Sequence, residues 1–183
     1  MAPARTILRA AALALLAMLA TAVRSPAQEA AADSAWYDFW PGAWYRIEDG
    51  ERAEAPTFVV RRDVRPAAFL EEWRLTIDGE PSRSTGYRVW DAAAGRWTFF
   101  WSSDRGHVQL WEGRKVNGIW GIERPFEQEG RRFVSRQSWI PEGPDQVRRV
   151  FERSIDEGRT WEPRLEEIYA RGPLPPAGGP CQR

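Results

Sequence analysis

One cysteine, one histidine and one lysine among 183 residues set the first limits on this chain. Cys181 has no second cysteine to pair with, so an internal disulfide is excluded and packing alone must hold the fold. His107 and Cys181 cannot assemble a cluster of nitrogen and sulfur ligands, which argues against a zinc or other transition-metal centre. His107 is also the sole candidate imidazole base, it follows the turn Asp104-Arg105-Gly106, and no Gly-x-Ser-x-Gly elbow accompanies it. It reads as a solvated loop residue. No phosphate-cradling glycine loop precedes a helix, so no nucleotide or other cofactor is expected.

Long apolar runs are missing too, except at the start. Arg5 and Arg9 precede an Ala/Leu run from Ala10 to Leu19, which is too short to span a bilayer and reads as a signal peptide. Two small-residue cleavage patterns follow, Ala20-Thr21-Ala22 and Ser25-Pro26-Ala27, and the later one is preferred. The chain then divides into a signal peptide (1–27), a flexible Ala-rich N-terminus (28–35), one domain (36–172) and a disordered Pro/Gly-rich tail (173–183). Export to the periplasm or the medium is expected, with no stable membrane anchor after processing. Removing the signal takes three arginines and no acid, leaving 23 basic against 26 acidic residues. Without a basic excess, nucleic acid is not an expected partner.

What the chain does have is aromatic mass, with eleven tryptophans in short stretches that alternate bulky and polar residues. Such alternation marks half-buried strands, and turn signals recur at the roughly 8- to 12-residue spacing of a sandwich or barrel. About nine or ten strands are expected, from Trp44 to Ala170. They are punctuated by Asp78-Gly79, Glu112-Gly113, Asn117-Gly118, Glu129-Gly130 and Glu157-Gly158. The predicted fold is all-β, an antiparallel up-and-down barrel of about 8–10 strands. Trp36, Trp40 and Trp44 share helical spacing, but Pro41-Gly42 limits any helix to a short turn that plugs the barrel.

If the bulkier face of each strand turns inward, the interior receives Phe69, Trp73, Leu75, Tyr87, Val89, Trp97, Phe99, Trp101, Leu110, Trp120, Phe133, Trp139, Val147, Phe151 and Tyr169. The same parity sends Glu71, Gln137, Arg149 and Glu167 inward, where charge must find a partner. Polar groups amid aromatics are the usual lining of a ligand pocket, and such pockets run from about 300 Å³ upward. The candidate ligand-binding residues are therefore Glu71, Trp73, Tyr87, Trp101, Trp120, Gln137, Arg149 and Glu167, with no catalytic or metal residue assigned. The leading function is a non-enzymatic barrel that takes a small amphiphilic or aromatic molecule. An enzyme (lyase, isomerase or hydrolase) would use Glu71 and Glu167 as a lumenal carboxylate pair tuned by Arg149. A carbohydrate-binding module would stack sugars on Trp90 and Trp111, which this parity leaves outside.

Two local motifs carry resemblances. Ser154-Ile155-Asp156-Glu157-Gly158-Arg159-Thr160-Trp161 is similar to the Asp box of sialidases, where it resembles a structural turn. Gly42-Ala43-Trp44 resembles the G-x-W signature of lipocalins; that resemblance implies an arginine near the last strand packing on Trp44, with Arg171 the first counterpart by position and Arg164 the second. A wider resemblance, from Trp36 to about Gly172, is to a bacterial group of exported domains of unknown function with lipocalin-like barrels. It rests on Asp38 to Trp44, Glu72-Trp73, Tyr87 to Asp91 with Gly95-Arg96-Trp97, Arg136 to Trp139, and Phe151 to Trp161. Pro41 and Arg149 depart from its pattern. The resemblance implies a barrel and no particular activity.

Overall fold

A computed structural model of the chain describes residues 25–63, 65–77 and 79–175. The signal segment through residue 24 and the end of the tail with Cys181 lie outside the described residues. Among the described residues, one helix, α1 (Pro26–Ser34), precedes eleven strands: β1 (Gly42–Glu48), β2 (Glu51–Arg52), β3 (Phe58–Arg62), β4 (Ala68–Ile77), β5 (Glu80–Asp91), β6 (Arg96–Ser103), β7 (Val108–Val116), β8 (Ile119–Gln128), β9 (Arg131–Pro141), β10 (Gln146–Ser154) and β11 (Glu162–Gly172). Each strand from β3 to β11 pairs antiparallel with its neighbour, and β1 joins β3 to β11. Ten strands thus close an up-and-down barrel, consistent with a lipocalin-like fold, while β2 is a two-residue flap on β1.

Turn chemistry explains the hairpins. Asn117 and Gly118 have φ of 51° and 80°, and Glu129 and Gly130 have 52° and 73°. Two successive positive φ values are what a tight two-residue hairpin needs to match strand twist. Glu112-Gly113, expected as a turn, instead lies inside β7, where Gly113 lets the Trp97 main chain approach. Val116 consequently ends β7 rather than opening the next strand.

The segment expected to be flexible, 28–35, is largely helical. Ser25 and Gln28 form a reciprocal capping box, Pro26 sits in the first turn, and the alanines favour helix. Asp33 then fastens α1 to the barrel rim. Its carboxylate accepts from Trp120 Nε1 (3.1 Å) and pairs with Lys115 Nζ (2.6 Å), and its carbonyl accepts from Trp97 Nε1 (2.9 Å). Cleavage after Ala27 would remove the cap residue of this helix, whereas cleavage after Ala22 would leave it whole.

Past α1 the chain dives into the barrel. Trp40 is fully buried, with its ring 4.7 Å from Trp139 and 5.1 Å from Phe58. Phe58 stacks on Trp73 at 4.1 Å. Contacts of this kind add about 0.5–1.5 kcal/mol each beyond the area they bury. Trp44 is covered by the Arg171 guanidinium at 4.5 Å, across the β1 to β11 register that closes the barrel. Arg171 also donates to the carbonyls of Phe39 (2.8 Å), Pro41 and Pro144, tying the plug to the wall. The expected Trp44 to Arg171 contact is therefore present.

The inward parity holds on β4, β6, β9 and β10 and is inverted on β5 and in part on β7. Arg88 and Trp90 face in, and Tyr87 and Val89 face out; on β7, Trp111 is buried while Leu110 is 56 % exposed. The reason is volume. Gly86 abuts the Phe99 ring and Glu71 Cβ, so β5 must present small residues (Ser82, Ser84, Gly86) where its neighbours present rings. Small barrels fill their interior by such large-against-small alternation, not by turning every bulky face inward.

Candidate ligand-binding site

Because α1 and the Trp40 plug cover the end at which β3, β5, β7 and β9 finish, any opening among the described residues lies at the other end. A cavity of about 120 Å³ lies on that side, walled by Trp73, Trp101, Trp111, Trp139, Phe99 and Leu75, with Arg88, Gln109, Gln137 and Arg149 among them. This is smaller than the roughly 300 Å³ at which ligand pockets usually begin. The rings that line it have filled most of the lumen.

Beneath the cavity, Glu71 is the buried hub. Its Oε1 accepts from Trp40 Nε1 (2.8 Å) and Arg88 Nε (2.7 Å), and its Oε2 accepts from Trp73 Nε1 (3.0 Å). Glu71 and Arg88 are both 0 % exposed. The guanidinium is held between the Tyr37 and Phe99 rings, 4.5 Å from each centroid. Burial works against the Arg88 charge, but the Glu71 carboxylate and the Tyr37 hydroxyl together outweigh it and hold the guanidinium above its ordinary pKa. Burial pushes the Tyr37 hydroxyl up, and that hydroxyl donates to the Trp120 carbonyl at 3.4 Å.

A second network occupies the adjoining wall. Arg149 donates through Nε (3.2 Å) and Nη2 (2.6 Å) to Gln137 Oε1 and through Nη1 to Glu167 Oε2 (2.8 Å). Tyr169 also donates to Glu167 Oε2 (2.9 Å), and burial pushes its hydroxyl well above the ordinary tyrosine range, with Arg149 offsetting part of that. On the far wall, Trp111 Nε1 donates to Gln109 Oε1 (3.0 Å).

Four of the eight residues expected at the site, Trp73, Trp101, Gln137 and Arg149, line the cavity. Glu71 lies below it, sealed by three donors, and is paired with Arg88 rather than with Arg149. Glu167 supports Arg149 from behind. Trp120 belongs to the plugged end, where it meets Asp33 and Trp90. Tyr87 is outside, donating to Asp63 at 2.7 Å. The sequence reading missed Arg88, Gln109 and Trp111. Their only local signal was the alternation Gly86-x-Arg88-x-Trp90 and Gln109-x-Trp111, which the bulk rule reads in the wrong phase.

Two further expectations meet the structure here. Trp111 is 3 % exposed and Trp90 is packed against Trp97 and Trp120, so the exposed platform a sugar binder needs from this pair is not formed. The Asp-box segment folds as a turn. Asp156 accepts from Thr160 Oγ1 (2.6 Å) and from the Thr160 and Arg159 amides, which holds its carboxyl far below the usual range, and Trp161 Nε1 donates to the Gly158 carbonyl (3.1 Å). Compared with known proteins, the chain matches no family model and no curated protein.

Proposed function

We propose that this is an exported, non-enzymatic barrel that binds a small aromatic or amphiphilic molecule in the end of the lumen opposite α1, and that it belongs with the exported lipocalin-like domains its sequence resembles. The observation that carries this reading is the cavity itself, where indole and phenyl walls meet polar side chains on a rigid sheet. Its size restricts the occupant. A cavity of about 150 Å³ holds a benzene ring; at about 120 Å³ this one encloses a short chain or part of a ring, and the rest of the ligand projects from the mouth. The carboxylates that acid/base catalysis would need are engaged elsewhere, Glu71 by three donors and Glu167 by Arg149 and Tyr169.

The test is tryptophan fluorescence of the processed protein titrated with indole, benzamide, benzoate and butyrate. Trp73, Trp101, Trp111 and Trp139 wall the cavity, so a bound molecule changes the emission saturably. A linear, non-saturating response to all four, with no rise in Tm, would sink the proposal.

A further inference from the structure

The small cavity encloses only part of a ligand, so the side chains around its mouth decide what the rest can be. Strands β8 and β9 outrun their pairing there. β7 pairs with β8 only as far as Glu123, and β10 pairs with β9 only as far as Val134. Beyond those residues the β8 to β9 hairpin has no hydrogen-bonded strand on either side among the described residues, and a two-stranded hairpin gains little stability by itself. Its cross-strand pair, Phe126 and Phe133, is stacked at 5.5 Å.

These rings continue the cavity wall. Phe126 makes an edge contact with Trp111, which lines the cavity, at 5.6 Å, and both Phe126 and Phe151 pack on the buried cluster of Phe99, Trp111 and Ile122. A groove of about 490 Å³ runs past the Phe126 and Phe133 pair, with Val134 and Ile155 completing its apolar side. That volume falls within the range of ligand sites. Ile155, the second residue of the Asp box, is 77 % exposed, and the hydrogen bonds of that turn are made by Ser154, Asp156 and Thr160 without it. Charge at the groove is of both signs, with Glu127 and Arg132 paired at 3.1 Å and Glu157 nearby. Apolar cover, not charge, is what this surface offers.

We infer that the ligand is an elongated apolar molecule, an unbranched chain or linked rings, with one end in the cavity and its length lying over Phe126, Phe133 and Ile155. This rests on the binding reading above and adds the ligand's shape and the second half of its site. A compact molecule of the same size would fit neither the small cavity nor the line from Trp111 to Ile155.

The experiment titrates the processed protein calorimetrically with 1-butanol, 1-hexanol, 1-octanol and cyclooctanol, whose neutral heads keep charge out of the comparison. Each methylene that finds apolar cover tightens binding by up to about fourfold. 1-Octanol is therefore expected to bind at least about tenfold more tightly than 1-butanol, and cyclooctanol, with the same carbons in a compact ring, more weakly than 1-octanol. The Ile155→Asp variant places a charge in the groove at an exposed position. It is expected to remove most of the gain from chain length while leaving 1-butanol affinity and Tm unchanged. Equal affinity for 1-butanol and 1-octanol, or cyclooctanol matching 1-octanol, would overturn the elongated ligand and leave the cavity reading standing. A length gain that persists in Ile155→Asp would overturn the placement in the groove. Sedimentation of the free protein covers the other occupant: self-association that Ile155→Asp abolishes would assign the groove to a second copy and overturn the inference. Failure of every alcohol to bind would overturn both readings.

Discussion

Replacing Glu71 with glutamine tests whether the hidden charges hold the barrel together or perform chemistry in it. The carboxylate takes three hydrogen bonds, from Trp40, Trp73 and Arg88, at 2.7–3.0 Å, and neither it nor Arg88 has any exposed surface. Glutamine offers one oxygen where three donors converge and leaves the Arg88 charge uncompensated. Breaking a buried ion pair from one side costs about 3–5 kcal/mol, a large share of the roughly 5–15 kcal/mol that stabilises a typical domain. At about 2–4 °C per kcal/mol for a chain of this size, Tm should fall by roughly 6–20 °C. The assay is thermal unfolding followed by near-ultraviolet circular dichroism, where the buried indoles report tertiary packing. The double variant Glu71→Gln/Arg88→Met removes the stranded charge and should recover part of the loss, giving a coupling of about 1–3 kcal/mol. A drop in Tm below about 2 °C, or strictly additive single effects, would refute the reasoning, because either result means the pair is not held in a medium that penalises an unpaired charge.

A second substitution probes the wall that the turn signals misplaced: Gly113→Ala would drive a methyl group into the Trp97 backbone oxygen and nitrogen, 2.5 and 2.8 Å from the new Cβ, and should cost about 1–3 kcal/mol by urea unfolding with an unchanged m-value. At alkaline pH, Tyr37 and Tyr169 are expected to resist ionisation, because burial raises both hydroxyls above their unfolded values. Their contribution to stability is complete below about pH 10, the unfolded tyrosine value, and is lost as pH rises through the folded values. Tyrosinate absorbance should therefore appear in step with unfolding, and Tyr169→Phe should move the alkaline midpoint upward; early ionisation of all four tyrosines in the folded state would contradict this.

Much of the cavity lining was legible in the sequence, and the part that was not has a specific cause. Trp73, Trp101, Gln137 and Arg149 were placed correctly because β4, β6, β9 and β10 put their rings and their lumenal polar groups on one face. Strand β5 does the reverse. Its inward row of Ser82, Ser84, Gly86, Arg88 and Trp90 is on average smaller than its outward row, so local bulk pointed the wrong way. Tyr87 was drawn inward by that rule and Arg88 outward, and with them went the true partner of Glu71. The aromatic content also hid the size of the cavity, since the same rings that suggest a pocket wall are large enough to fill one.

The sequence by itself determined the all-β strand pattern, most of the hairpins and the Asp-box turn, because these depend on period-2 alternation, on left-handed turn residues and on motifs read over a few positions, while the Trp44 to Arg171 contact was implied by the lipocalin resemblance. Only the tertiary structure decided which face of β5 and β7 looks inward, which arginine neutralises Glu71, and how much of the lumen stays open. Those outcomes depend on how the volumes of side chains from different strands fit around a closed barrel, and no single strand carries that information.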